Sequence, residues 1–207
     1  MDTKRKIVEA ALKLFAEKGY SDVYVGDIAK AVGIKAPSLY KHFKGKQEIF
    51  DAILEVLKES YAKQAVSMGI NGDVADVDAD VYAGISVDTL VEMGKNFFLY
   101  FLHDEYMRLF RKLLTIEQFH NSELGDLYTK QYMNDPLVYQ GDLFGILIAK
   151  GRLMQVSEDV LAMQFYAPIY MWLTECDRHP DREADALRMI EAHIRQFNHN
   201  YLKEDES

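Results

Sequence analysis

The sequence predicts an all-α fold. Apolar residues recur at i, i+3, i+4 and i+7 through nearly all of the 207 residues, which is the period of a helix with one buried face. Only four prolines interrupt this period. The breaks between periodic stretches carry Gly, Pro, Asn or Asp, the residues that stop helices and form turns. A chain of this length makes one domain or two small ones and buries enough surface for a core without covalent staples.

The first helix is expected over about 3–18, with Ile7, Ala10, Ala11, Leu14 and Phe15 as its apolar stripe and Gly19 as its stop. A short second helix fits 26–32, with Ile28, Ala29 and Val32 inward, and Gly33 supplies the left-handed residue of a tight turn. The third starts at Ala36-Pro37, because proline suits a first helical turn, and runs to about Phe43. A longer helix follows from Lys46 into the sixties, with Ile49, Phe50, Ile53, Leu54 and Leu57 apolar. Residues 67–87, "SMGINGDVADVDADVYAGISV", are rich in Gly and Asp and hold no Lys or Arg. They read as an acidic linker. Within them Asp76, Asp78 and Asp80 resemble the start of a calcium loop, but Val81 and Val87 stand where such a loop needs Gly and Glu. A solvated acidic loop is the expectation. Further helices are expected over 87–102, 105–120, 122–133, 136–153, 157–176 and 181–203.

Charge divides the chain. Residues 1–50 carry a net +4 and the remaining 157 a net −13, within a total of −9. A basic module on an acidic body points to a polyanionic partner for the first part alone. The N-terminal "MDTKRKIVEAALKLF" reads as an amphipathic helix rather than a secretory leader. No run of 18–20 apolar residues marks a membrane span. The one cysteine, Cys176, permits no intrachain disulfide and suits a reducing cytosol. The expected location is therefore cytoplasmic. No glycine-rich phosphate loop, zinc-protease helix or nucleophile elbow occurs, which argues against an enzyme and against a cofactor. Cys176 with His179 offers two metal ligands, too few for a zinc site.

The stretch "VGIKAPSLYKHFKGK" (32–46) concentrates Lys35, Lys41, Lys44 and Lys46 around a tyrosine, a histidine and a phenylalanine. At 100° per residue, Ala36, Leu39 and Phe43 share a core-facing side. Pro37, Ser38 and Lys41 point the opposite way, with Tyr40 and His42 on the flanks. An ordinary αα-hairpin is the bland reading. A helix for the DNA major groove is the favoured one, with Ser38 and Lys41 toward base edges and Tyr40, His42, Lys44 and Lys46 toward phosphates. Ala29, four residues before Gly33, lets two short helices cross closely, as in a helix-turn-helix. Lys35, Ala36 and Pro37 complete the candidate DNA surface.

Residues 6–50 resemble the DNA-binding module of the TetR/AcrR family of bacterial regulators. The resemblance is carried by "IVEAALKLFAEKGY" and "DIAKAVGIKAPSLYKHFKGKQEIF". It covers under a quarter of the chain. One departure is Tyr24, at the position where the family has a capping Ser or Thr. The resemblance implies a three-helix DNA-binding domain (1–46) and a helical ligand-binding and dimerisation domain (47–207). It also implies a homodimer formed through the last two helices, whose candidate residues are Leu161, Phe165, Trp172, Leu187, Ile190, Ile194, Phe197 and Tyr201. Five of these step by 3, 4, 3 and 4 along the last helix, a heptad seam that serves equally for packing within one chain.

The middle of the chain is rich in rings, which singly belong to cores but as a group can line an apolar site. Candidate ligand contacts are Phe98, Phe101, Tyr106, Phe110, Leu113, Glu117, Tyr132, Phe144, Tyr166 and Tyr170. The resemblance implies a repressor released from a near-palindromic operator by a small apolar or amphipathic effector. The nearer rival is a DNA-binding dimer without such an effector, architectural or controlled by a partner, and the more distant one is a helical enzyme.

Overall fold

The computed structural model describes residues 2–203, and among these helices carry the fold. They are α1 (Thr3–Lys18), α2 (Val25–Val32), α3 (Ala36–Leu39), α4 (Lys46–Ser67), α5 (Ala75–Gly84), α6 (Val87–His103), α7 (Glu105–Glu117), α8 (Ser122–Thr129), α9 (Asp135–Ala149), α10 (Glu158–Arg178) and α11 (Glu183–Tyr201). The chain divides into two compact units. The first holds residues 1–61 and 105–129, the second 62–104 and 130–207.

In the first unit, α1 is the central strut. Its buried side consists of Ile7, Val8, Ala11, Leu12, Phe15 and Ala16. The expected stripe is thus rotated slightly, so that Ala10 and Leu14 are only half-buried. This helix packs on α2 and on α7, and contact with two neighbours widens the apolar face beyond one stripe. Phe15, Tyr20, Phe50 and Phe110 form a chain of ring contacts with centroids 5.0, 5.3 and 6.2 Å apart in turn. Burial of such rings is the main stabilising term of so small a core.

In the second unit, α5, α9, α10 and α11 surround Phe144, Leu147, Leu161 and Phe197. A second cluster joins Val91, Phe98 and Leu102 of α6 to Leu173, Cys176, Ile190 and Ile194. Residues 67–87 do not form the solvated acidic loop expected of them throughout, since Ala75–Gly84 is helix α5. Asp78 is fully buried. Its carboxylate accepts from the backbone N–H of Asn71 (2.6 Å) and Gly72 (2.8 Å) and from the Tyr139 hydroxyl (2.6 Å). Burying a carboxylate is tolerable only when its lone pairs are filled in this way. Burial, with the Asp78 charge added, pushes the neighbouring Tyr82 phenol up to about 12.

One irregularity follows from a proline. Residues Lys130–Asn134 form a π-helical turn between α8 and α9. Pro136 has no N–H to offer the Tyr132 carbonyl four residues back. The Tyr166 hydroxyl donates to that carbonyl instead, at 2.9 Å. The same region stacks Tyr132 on Tyr170 and Tyr166 on Tyr170, with centroids 6.0 and 5.7 Å apart.

Replacing Asp78 by Ala removes the shared acceptor of the Asn71 and Gly72 N–H groups and of the Tyr139 hydroxyl. A loss of about 3 kcal/mol in unfolding free energy, read from a urea transition, is the expected result.

Candidate nucleic-acid interface

The helix-turn-helix is built from two very short helices held by their ends and undersides. At the start of α2, Tyr24 cannot supply a short capping oxygen, and Asp27 answers from inside the helix by accepting the Tyr24 N–H at 2.9 Å. Ile28 and Ala29 are buried. Gly33 closes α2 at φ 76°, ψ 28°, a left-handed conformation that costs a side-chain-bearing residue about 1–2 kcal/mol. The Gly33 and Ile34 N–H groups then satisfy the Lys30 and Ala29 carbonyls at 3.1 and 2.9 Å.

The regular part of α3 ends at Leu39, four residues before the expected end at Phe43. The backbone tightens there. The Leu39 carbonyl accepts from both His42 N–H (2.8 Å) and Phe43 N–H (3.1 Å). This tightening drops Phe43 into the core beside Leu39, with 1 % and 0 % exposure.

The outer surface is what remains. Lys35, Pro37, Tyr40, Lys41 and Lys44 are exposed, while Ala36, Ser38 and His42 are half-buried. The carboxylates on either side are occupied with backbone, Asp27 with Tyr24 N–H and Glu48 with Lys44 N–H at 2.5 Å. Cations and a phenol therefore dominate this face, as recognition of phosphates and base edges requires.

Lys46 departs from its expected part as a phosphate contact. Its Nζ donates to the Tyr20 carbonyl at 2.7 Å and lies 4.3 Å from the centroid of the Tyr20 ring. Burial holds its pKa below the ordinary lysine value, against the opposing charges of Glu117 and Asp22. The reason is position, since Lys46 opens α4 within reach of the carbonyls of the turn after α1.

One residue absent from the expected set, Lys4, joins this face, and Tyr24 at the start of α2 stands out into solvent. Lys4 places its Nζ 5.2 Å over the Phe43 ring, which brings the basic start of α1 to the end of α3. Tyr24 is 71 % exposed. The "TKRK" run was legible as charge, but only folding locates it beside α3.

The ten residues read as ligand contacts fall into both units. Tyr106, Phe110, Leu113 and Glu117 lie on α7 in the first. Phe110 and Leu113 are buried there, and Tyr106 donates to Glu9 at 2.9 Å, with burial and that bond raising its phenol to about 12. Glu117 accepts the Tyr20 N–H at 2.7 Å. Their polar and apolar groups are engaged in holding that unit together. In the second unit, Phe98 and Phe144 are core residues and Phe101 packs against the α6 cluster. Tyr132, Tyr166 and Tyr170 form the stack at the π turn.

Four of the eight residues read as a dimer seam turn inward. Leu161, Ile190, Ile194 and Phe197 are buried within the chain. Phe165, Trp172, Leu187 and Tyr201 pack against the same clusters. At Ile190, Ile194 and Phe197 the heptad steps coincide with packing within the chain, while Leu187 and Tyr201 keep partly exposed surface. The outward apolar side of these helices meets that seam at Trp172 and Ile190. Met171 and Met189 are 55 % and 40 % exposed. With Pro168, Trp172, Ile190, Ala192, His193 and Gln196 they line a groove of about 250 Å³.

Cys176 is buried with its thiol pKa raised by that burial, as suits a packing residue rather than a thiolate ligand. Among the described residues, no group of three or more His, Cys, Asp or Glu is placed to hold a metal.

Residues 7–53 match the family described as bacterial regulatory proteins, tetR family. The chain is 30% identical over 125 residues to the biofilm operon icaADBC HTH-type negative transcriptional regulator IcaR of Staphylococcus aureus (strain Newman), across 60% of this chain and 61% of that protein. It thus spans less than two thirds of the length of the curated relatives it matches. Its fold is similar to that of SmeT, the repressor of the Stenotrophomonas maltophilia multidrug efflux pump SmeDEF, solved in complex with triclosan. In that complex the TM-score is 0.69 at 19% identity, covering 98% of this chain and 93% of the other. A TetR family transcriptional regulator from Pseudomonas syringae pv. tomato str. DC3000 superposes with a TM-score of 0.66 at 18% identity, over 97% of each chain. At these identities the structural likeness is one of fold.

Gly33→Ala is expected to cost about 1–2 kcal/mol, because alanine cannot adopt the left-handed turn without strain. A urea transition of the purified protein measures it.

Proposed function

We infer that this chain, which belongs to the TetR family of bacterial regulatory proteins, acts in the cytoplasm as a homodimeric repressor on a near-palindromic DNA operator. The observation that carries this reading is the outward face of α3 and the turn after it, basic and aromatic in a chain of net charge −9. Among the described residues no helix is long and apolar enough to cross a membrane.

DNA binding is assigned to residues 1–46, with effector binding and dimerisation assigned to 47–207. Ser38 and Lys41 reach base edges in the major groove. Tyr40, His42, Lys35 and Lys44 hold phosphates, and Ala36 and Pro37 fit against the groove wall. A two-fold dimer presents two such faces, which makes a palindrome the natural target. The groove around Met171 and Met189 is the surface given to the second copy, because it is the apolar side of α10 and α11 that the chain itself leaves exposed.

The effector is proposed to be a small, largely apolar molecule received by the second unit near Tyr132, Tyr166 and Tyr170. The aromatic content of that unit supports it, as does the triclosan bound by the structurally similar SmeT. Such a molecule releases DNA only through a higher affinity for the form that cannot bind the operator. About 3 kcal/mol of difference weakens operator binding roughly a hundredfold.

Selection from a random duplex library at near-physiological salt tests the reading. An enriched near-palindrome is expected, with Lys41→Ala costing about 1–3 kcal/mol of binding free energy and Tyr40→Phe weakening binding as well. Salt-sensitive binding without enrichment would replace the operator reading with a non-specific one.

Met171→Glu combined with Met189→Glu places two charges in the proposed dimer groove. Analytical ultracentrifugation should show the wild type as a dimer and this variant shifted to monomer, with its helix content retained.

A further inference from the structure

Both backbone polar groups of Tyr20 are held by charged side chains of opposite sign from different helices. Its N–H donates to Glu117 Oε1 of α7 at 2.7 Å. Its carbonyl accepts from Lys46 Nζ of α4 at 2.7 Å. The same ammonium sits 4.3 Å from the Tyr20 ring centroid, within the range of a cation–π contact. The Tyr20 hydroxyl donates to Gln47 at 3.1 Å, and its ring packs on Phe15 and Phe50. Glu117 is only 4 % exposed.

Gly19 confirms how closely this arrangement is built. It has φ +85°, and a Cβ placed on it would stand 2.6 Å from Glu117 Oε1. The approach of the carboxylate thus depends on the absence of a side chain there. Glu117 is also among the charges acting on Lys46, so the two ions support one another across a single residue of backbone.

Resting on the DNA-binding reading above, we propose that Lys46 and Glu117 are positioning residues that clamp the Tyr20 turn and thereby set the placement of α2 and α3 on DNA. Lys46 is then no phosphate ligand, although it lies two residues after one in the basic stretch. Helix α7 becomes a working part of the DNA-binding unit through one carboxylate. The physical case is that α2 follows Tyr20 by five residues and is too short to hold its own direction. Its entry point is fixed by whatever fixes the turn.

The two parts of Lys46 predict opposite salt behaviour. A phosphate contact contributes about 0.9 to the slope of log K against log salt, whereas a positioning contact contributes nothing to it. Full-length Lys46→Met, Glu117→Gln, the double variant and Lys44→Ala would be titrated with the selected operator and with a random duplex over a salt series. Lys46→Met is expected to weaken operator binding about tenfold with the slope unchanged, while Lys44→Ala lowers the slope by about 0.9. The double variant should lose less than the product of the two single losses, as for groups acting on one element. A slope lowered by about 0.9 in Lys46→Met, with Glu117→Gln binding as wild type, would overturn the proposal.

Hydrogen exchange gives a reading that needs no DNA. The Tyr20 amide should exchange about tenfold faster in Glu117→Ala, and the 19–24 segment should loosen in Lys46→Met. Glu117→Gln removes the charge but keeps the side-chain shape, and separates the clamp from general unfolding. Unchanged exchange in these variants removes the clamp even if the operator is found. Faster exchange in a protein that selects no operator leaves the clamp standing and removes the DNA-binding reading alone.

Discussion

Helices α2 and α3 have eight and four residues, and helices of such length are not stable by themselves in water. Everything the basic outward surface does rests on that constraint. The two helices exist because Ile28, Ala29, Leu39 and Phe43 are buried beneath them, because Gly33 makes the left-handed turn, and because the turn after α1 is held before α2 begins. Burial directs the rest of the stretch outward. Once Leu39 and Phe43 occupy the core, Tyr40 and Lys41 have only the solvent side available.

A second theme is the satisfaction of polar groups away from water. Asp78 is buried at no exposure, yet three donors fill its carboxylate. Pro136 leaves the Tyr132 carbonyl without its helical donor, and Tyr166 supplies one from α10. Glu117 and Lys46 hold the N–H and carbonyl of one residue. In each case a long-range side-chain bond stabilises a place where regular helix fails, since an unpaired buried group costs more than the bond itself gains.

Apolar periodicity proved a reliable guide to where helices lie and an ambiguous one to what they face. The last helix illustrates it. The 3, 4, 3, 4 steps from Leu187 to Tyr201 identify a buried stripe, but burial inside the chain and burial against a second copy leave the same trace. Its buried members pack within the chain, and the exposed methionines lie beside them. The same holds on α7, where Tyr106, Phe110, Leu113 and Glu117 share a helical side that serves the first unit. Residues 67–87 show the reverse error. Four aspartates and three glycines look like solvated loop, because composition cannot reveal that Asn71, Gly72 and Tyr139 converge on Asp78.

By itself the sequence determined the all-α class, the positions of most helices, the left-handed turn at Gly33 and the basic face from Lys35 to Lys44. These depend on local spacing, on the backbone freedom of single residues and on charge, all of which are read along the chain. Only the tertiary structure decided which apolar stripe of α11 is outward, that α7 belongs with the first unit, and that the ammonium of Lys46 is turned to the Tyr20 carbonyl. Those outcomes rest on contacts between residues 26 to 97 positions apart. No local pattern encodes them, because the partner that settles each side chain's direction is elsewhere in the chain.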